Sequence, residues 1–152
     1  MIPRTLSFLL HDDEVLLIRL AADREGWAGK YNGVGGHIEK GEDPRSAALR
    51  EIFEETGLTP STLKLCGVIT IDLGETPGIG LYVFVGDVQR VDVNPGSEGV
   101  PQWVILSSTG ELPLVEDLPQ ILPKSIEAFT YGSPFSAQYS YDDANQLKIE
   151  FS

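Results

Sequence analysis

Cysteine is nearly absent from the chain: Cys66 is the only one among 152 residues. A lone cysteine excludes an intramolecular disulfide, and its apolar surroundings, LKLCGVIT, mark it as a core side chain and not a nucleophile. No apolar run reaches the length of a membrane span, and no basic-then-apolar leader opens the sequence, so the expectation is a cytoplasmic protein with no membrane partner. Positive charge is also scarce. Lys and Arg number 11 against 23 Asp and Glu, a net charge of −12. Without a basic patch to release counterions, the surface argues against a nucleic-acid polymer as partner. Repeats, low-complexity tracts and linkers are missing too. What the chain does have is 41% hydrophobic residues, enough for a proper core, and residues 1–152 read as one domain.

The most informative stretch runs from Gly36 to Leu58, GHIEKGEDPRSAALREIFEETGL. Asp43 suits an N-cap, Pro44 the first helical position and Gly57 a left-handed C-terminal cap, so the spacing predicts a helix from Pro44 to Thr56. Glu51, Glu54 and Glu55 then stand at i, i+3 and i+4 and share one face, with Ala48, Leu49, Ile52 and Phe53 as apolar surface beside it. Such a face repels itself unless a cation sits among the carboxylates, and hard divalent ions bound by oxygen meet that need. By itself EIFEE also fits a solvated acidic face. Its flank argues otherwise: GVGGHIEKGE places glycines at 33, 35, 36 and 41, which permits close backbone approach and a tight turn into the helix.

Around this stretch the chain is strand-rich. Arg4 to Leu10 and Glu14 to Leu20, joined by His11, Asp12 and Asp13, predict a hairpin, with His11 a turn residue. Residues 22–33, ADREGWAGKYNG, read as a loop over a site. Leu63 to Asp72 and Gly80 to Val88 are strand-like on either side of the GETPG turn at 74–78. A second long loop, 93–101, precedes a short strand from Gln102 to Leu106. A helical segment follows from about Leu118 to Phe129, interrupted by Pro119 and Pro123, and Ala137 to Phe151 predicts a terminal hairpin turning at Asp142 to Gln146. The implied architecture is α/β, a mixed sheet with helices on both sides.

One spacing is far more specific than the rest: Gly, five residues, Glu, seven residues, then Arg-Glu-apolar-x-Glu-Glu-x-Gly-apolar. Gly36, Glu42, Arg50, Glu51, Ile52, Glu54, Glu55, Gly57 and Leu58 meet it at every fixed position. In this the chain resembles the Nudix family. The resemblance implies the Nudix fold, an α/β/α sandwich with a mixed sheet and a loop-helix-loop box, and hydrolysis of a nucleoside diphosphate linked to another moiety. It implies Glu51, Glu54, Glu55 and the backbone carbonyl of Gly35 as metal ligands, with Mg²⁺ as cofactor and Mn²⁺ as a substitute. Arg50 would pair with a neighbouring carboxylate, and Glu42 would orient that arginine or bind metal through water. His37, inside the box, reads as local structure. The general base stays open between Glu55 and Glu98, a loop acid five residues before Trp103 that also counts as a candidate metal ligand. Because the surface repels free nucleotides, a small phosphorylated substrate would need the cation to enter.

The segment KYNGVGGHIE narrows the resemblance to the MutT-type and mammalian oxidised-purine-nucleotide hydrolases of the family. That similarity puts Asn32 on the purine and the pair Glu116 and Asp117 on the base edge, where two adjacent acids can share a proton. Trp27, ahead of Tyr31 and Trp103, is the stacking face, and Thr5 holds a pocket position on the first strand. Arg19 and Lys30 are the candidate phosphate ligands, although the family's strand cation falls at Leu20, so that Arg19 serves only if the strand bulges. The expected reaction is Mg²⁺-dependent hydrolysis of a nucleoside triphosphate to monophosphate and pyrophosphate, with an oxidised purine nucleotide such as 8-oxo-dGTP as substrate. The chain would work as a monomer or homodimer. The alternatives are a hydrolase of ADP-ribose, of a dinucleoside polyphosphate or of an unmodified nucleotide, and, from another class, a catalytically silent Nudix-like binding module.

Overall fold

Local signals alone account for the first helix. In the computed structural model, which describes residues 1–152, α1 spans Pro44–Thr56. Asp43 stays extended, and its carboxylate accepts from the Ser46 N–H at 2.9 Å and the Ser46 hydroxyl at 2.7 Å. Gly57 ends the helix at φ 76, a left-handed conformation that only glycine adopts freely, and its N–H donates to the Phe53 carbonyl. The buried stripe consists of Ala47, Ala48, Ile52, Glu55 and Thr56. Phe53, expected beside the carboxylates as apolar surface, is 61% exposed. It lies one residue past Ile52, about 100° round the helix and off the stripe.

Nine strands form one mixed sheet. β1 (Ile2–His11) runs parallel to β6 (Ile79–Asp87), and beyond it lie β5 (Thr62–Ile71), β8 (Phe135–Tyr141) and β9 (Leu147–Phe151) in that order. The other edge of β1 is shared between two partners: Leu9 to His11 pair with β2 (Glu14–Leu20), and Arg4 to Ser7 pair with β4 (Val34–His37). β2 in turn carries β3 (Tyr31–Asn32) and β7 (Gly99–Ile105). Phe8 and Leu9 point to opposite faces of β1 and both are 0% exposed, so both faces of the sheet are covered. α1 packs against β4, β1 and β6, while α2 (Leu118–Tyr131) packs against β5, β6 and β8, which completes an α/β/α arrangement. No helix is long and apolar enough to cross a membrane.

Four stretches depart from the sequence reading. Residues 31–32, expected in a loop, form β3, and the glycine segment at 34–37 forms β4. Glycine disfavours strands, but pairing along β1 satisfies this backbone and overrides the local preference. β7 begins at Gly99 and not at Gln102, because Gly99 to Pro101 continue the ladder opposite Leu20 to Ile18. α2 is not interrupted. Pro119 falls in its first turn, where no N–H is needed, and at Pro123 the burial of Leu118, Ile121, Leu122 and Ala128 carries the helix past one missing backbone bond. The hairpins at each end and the buried Cys66 match expectation. The split pairing of β1 holds the glycine segment against the first strand, directly ahead of α1, and there the site forms.

Candidate active site

Arg50 ties the loop before α1 to the acidic face of the helix. Its Nε and Nη2 donate to both oxygens of Glu42 at 2.7 and 2.9 Å, Nη2 also to the His37 carbonyl at 3.0 Å, and Nη1 to Glu51 at 3.0 Å and Glu54 at 3.3 Å. The planar fork of guanidinium donors suits this bidentate contact. The Arg50 hydrogen bond, helped by the Glu39 N–H, holds the Glu42 carboxyl down at about 2, and Glu42 in return pushes the guanidinium further above its ordinary range. His37 enters the network through its carbonyl and not its ring.

The three helix glutamates do not meet the same surroundings. Glu51 sits over Gly36, where any side chain would run into the Glu51 carboxyl group. Burial pushes Glu51 up, Arg50 opposes that, and Glu54 and Glu55 add to it. Glu55 is only 5% exposed, and its two oxygens accept from the Ser97 hydroxyl at 2.7 Å and the Glu98 N–H at 3.0 Å, fastening the loop before β7 to the helix. Gly96 leaves no room for a side chain beside that carboxylate. Glu54 is half exposed and rests on Arg50. Glu98 is pushed up to about 7, first by burial and then by Glu55, while Arg24, 4.0 Å from its Oε1, pulls the other way.

The three carboxylates lie along one face of α1, as the spacing predicts, and Glu51 feels both Glu54 and Glu55, although no three acidic or histidine side chains converge on one point. Arg50 holds Glu51 and Glu54 together through its Nη1, while Glu55 is engaged by the loop before β7. Their chemistry still fits a hard divalent cation. Glu51, Glu55 and Glu98 lie close enough that Glu98 feels both of the others, and every donor is an oxygen.

Beside this cluster opens a cavity of about 280 Å³. Thr5, Trp27, Lys30, Asn32, Glu116 and Asp117 line it together with Gly35, the neighbour of the glycine that cradles Glu51. Thr5 is 2% exposed and its hydroxyl has no partner within the protein. The Asn32 Oδ1 accepts from the Gly33 N–H at 2.8 Å, which leaves the side-chain amide donors available.

Arg19 is not brought into the cavity. β2 has no bulge there: Ile18 stands opposite Asn32 and Arg19 opposite Tyr31, so Arg19 points to the face away from Asn32. Tyr31 and Trp103 also serve elsewhere, Tyr31 donating to Gln102 at 2.9 Å and Trp103 to the Val91 carbonyl at 2.8 Å. Sequence reasoning missed Arg4, Tyr139 and Tyr141 in the cavity wall, and Ser97 and Arg24 beside the loop acids. The alternating burial of Phe135, Ala137 and Tyr139 on β8 follows an apolar alternation visible in the sequence. Which cavity that face lines is not visible there.

The NUDIX domain pattern matches residues 1–126. The chain is 40% identical over 101 residues to the oxidized purine nucleoside triphosphate hydrolase of Danio rerio, covering 65% of this chain and 63% of that protein. It is 35% identical over 97 residues to the 8-oxo-dGTP diphosphatase of Escherichia coli, covering 62% of this chain and 72% of that one. The match thus spans a little under two thirds of the length of the Danio rerio protein. Among solved structures, the mutator MutT protein from Bacillus halodurans aligns with a TM-score of 0.81 over 100% of this chain and 98% of that chain, at 22% identity, a likeness of fold. Nudix hydrolases act on small nucleotide substrates and need divalent cations. With the domain pattern matched over most of the chain and the fold over all of it, the protein belongs to the Nudix family.

Proposed function

We propose that this protein hydrolyses a nucleoside triphosphate to monophosphate and pyrophosphate with Mg²⁺, or with Mn²⁺ in its place, and that it prefers an oxidised purine nucleotide such as 8-oxo-dGTP. One observation carries the reading. Thr5, Trp27, Asn32, Glu116 and Asp117 line the same cavity as Gly35, whose neighbour borders the carboxylate cluster. A base held in that cavity would place its phosphates toward the acids of α1.

A pyrophosphate linkage resists hydrolysis because its charge repels a nucleophile. Glu51, Glu54, Glu55, Glu98 and the Gly35 carbonyl would hold Mg²⁺, which when bound neutralises phosphate charge and polarises the reacting group. Arg50 keeps Glu51 and Glu54 at the mouth of the cluster through its Nη1. Each oxygen of Glu55 accepts one hydrogen bond, from the Ser97 hydroxyl and the Glu98 N–H, which fixes the carboxylate and leaves a lone pair on each oxygen for the cation. The Glu98 carboxyl accepts no hydrogen bond from the protein and has Arg24 at 4.0 Å, so an oxygen not engaged by the cation could take a proton from an in-line water, which supports Glu98 as the general base. Lys30, with Arg4, supplies positive charge where β2 has Leu20. Trp27, 53% exposed at the cavity, offers a face on which a base stacks.

The test is pyrophosphate release from 8-oxo-dGTP, dGTP, dCTP and a dinucleoside polyphosphate, and AMP release from ADP-ribose, each with Mg²⁺ and with chelator. Strong metal-dependent preference for 8-oxo-dGTP over dGTP is expected. Activity centred on ADP-ribose, or spread evenly over the panel, would discard the base-reading assignment.

A further inference from the structure

Tyr139, on β8, is a buried phenol in the cavity wall, 3% exposed. Its hydroxyl donates to Oδ2 of Asp117 at 2.7 Å. Asp117 occupies the N-cap position of α2, where an aspartate ordinarily turns back onto the helix N–H groups, yet its side chain makes no capping bond. The carboxylate is turned to Tyr139 instead. A phenol has one proton, and directing it at Oδ2 leaves Oδ1 free to accept from a ligand. Burial pushes the Asp117 carboxyl up and the Tyr139 bond opposes that rise; burial and the nearby Asp117 push the phenol up as well, so it keeps its proton.

We propose that Tyr139 is a specificity-determining positioning residue, orienting the Asp117 carboxyl as an acceptor in the cavity wall so that it selects bases presenting hydrogen-bond donors on that edge. The proposal rests on the cavity being the base site. Tyr139 gives Asp117 a hydrogen-bond partner within the protein, while Glu116 is exposed at the cavity rim. Arg4 from β1, Lys30 ahead of β3, Glu116 beside Asp117 and Tyr141 from β8 are the other charged or titratable groups lining the same cavity.

The experiment is steady-state kinetics of Y139F, D117N and the double variant across pH, with thermal unfolding of each to confirm the fold. Y139F is expected to raise KM by about tenfold with kcat within about twofold, the size of a lost hydrogen bond to a charged group. It should also move the limb of the kcat/KM profile that belongs to Asp117 to higher pH, because the carboxyl loses the bond that opposed burial. D117N keeps the shape and removes the charge. It should raise KM at least as much, and Y139F added to it should cost less than about a further twofold, since coupled residues are not additive. An unchanged KM and an unchanged Asp117 limb in Y139F would overturn the proposal, as would a Y139F penalty that persists undiminished in D117N. All variants are assayed on whichever nucleotide the wild type turns over best. A wild type without oxidised-purine preference would therefore fail the functional reading while the Tyr139 and Asp117 coupling is still measured.

Discussion

Replacing Glu98 with Gln should make the metal-free protein more stable and at the same time nearly inactive. Glu98 is held up at about 7 from an ordinary 4.5 by burial and by Glu55, and its side chain is only 16% exposed, so solvent screens it little. Its folded value lies above its unfolded one. For an acid this means that the penalty is absent while Glu98 is protonated in both states, grows as pH rises from about 4.5, and is complete above about 7. At about 1.4 kcal/mol per unit, ionised Glu98 costs the fold on the order of 3 kcal/mol. A neutral Gln of the same shape removes that cost, which corresponds to roughly 6 to 12 °C in Tm for a chain of this size. The assay is urea and thermal unfolding of wild type and E98Q in chelator, at about pH 4.5 and about pH 8. The difference should be small at the lower pH and several kcal/mol in favour of E98Q at the higher. Adding Mg²⁺ should narrow the gap, because the ion binds the folded wild type preferentially. Turnover of E98Q should fall by about a hundredfold or more, the range for losing a general base. A variant no more stable than wild type at pH 8, or equally favoured at both pH values, would refute the reasoning.

Glu54→Gln should lower kcat by on the order of a hundredfold or more with the circular dichroism spectrum unchanged, and chelator should abolish wild-type turnover reversibly; wild-type rates in the variant would discard the metal site. Glu42 is depressed to about 2 by Arg50, so its contribution is whole above its unfolded value near 4.5 and is lost as pH falls toward about 2. The stability difference between wild type and E42Q should therefore shrink across that acid window, and a constant difference in acid unfolding would contradict it. Asp43→Ala removes two hydrogen bonds at the start of α1 and should cost about 1 kcal/mol, read as a Tm lowered by roughly 2 to 4 °C. No loss of stability would mean that the cap is replaced by solvent.

Dimensions of the site were legible to different degrees. The pairing of Arg50 with Glu42 was implied by the family resemblance, and it forms as a bidentate contact between the loop before α1 and the middle of the helix. Glu55 was expected on a common face with Glu51 and Glu54. Its partners, Ser97 and the Glu98 N–H, come from a loop more than forty residues later, and no local pattern announces them. The Arg19 assignment shows the same limit at smaller scale. A one-residue difference in strand position decides which face a side chain takes, and only the register of β2 against β3 settles it.

By itself the sequence determined what depends on neighbours along the chain: the caps of α1, the terminal hairpins, the β-branched and apolar runs that become the long strands, and the box spacing that marks the family. These follow from backbone conformation and side-chain periodicity within a few residues. Only the tertiary structure decided that a glycine segment becomes β4, that Pro123 sits inside a helix, and that Glu55 and Glu98 press against each other. It alone decided that Tyr139 turns Asp117 away from its own helix. Each of these is a contact between residues distant in sequence. Its energy comes from burial and hydrogen bonding that exist only once the sheet has assembled.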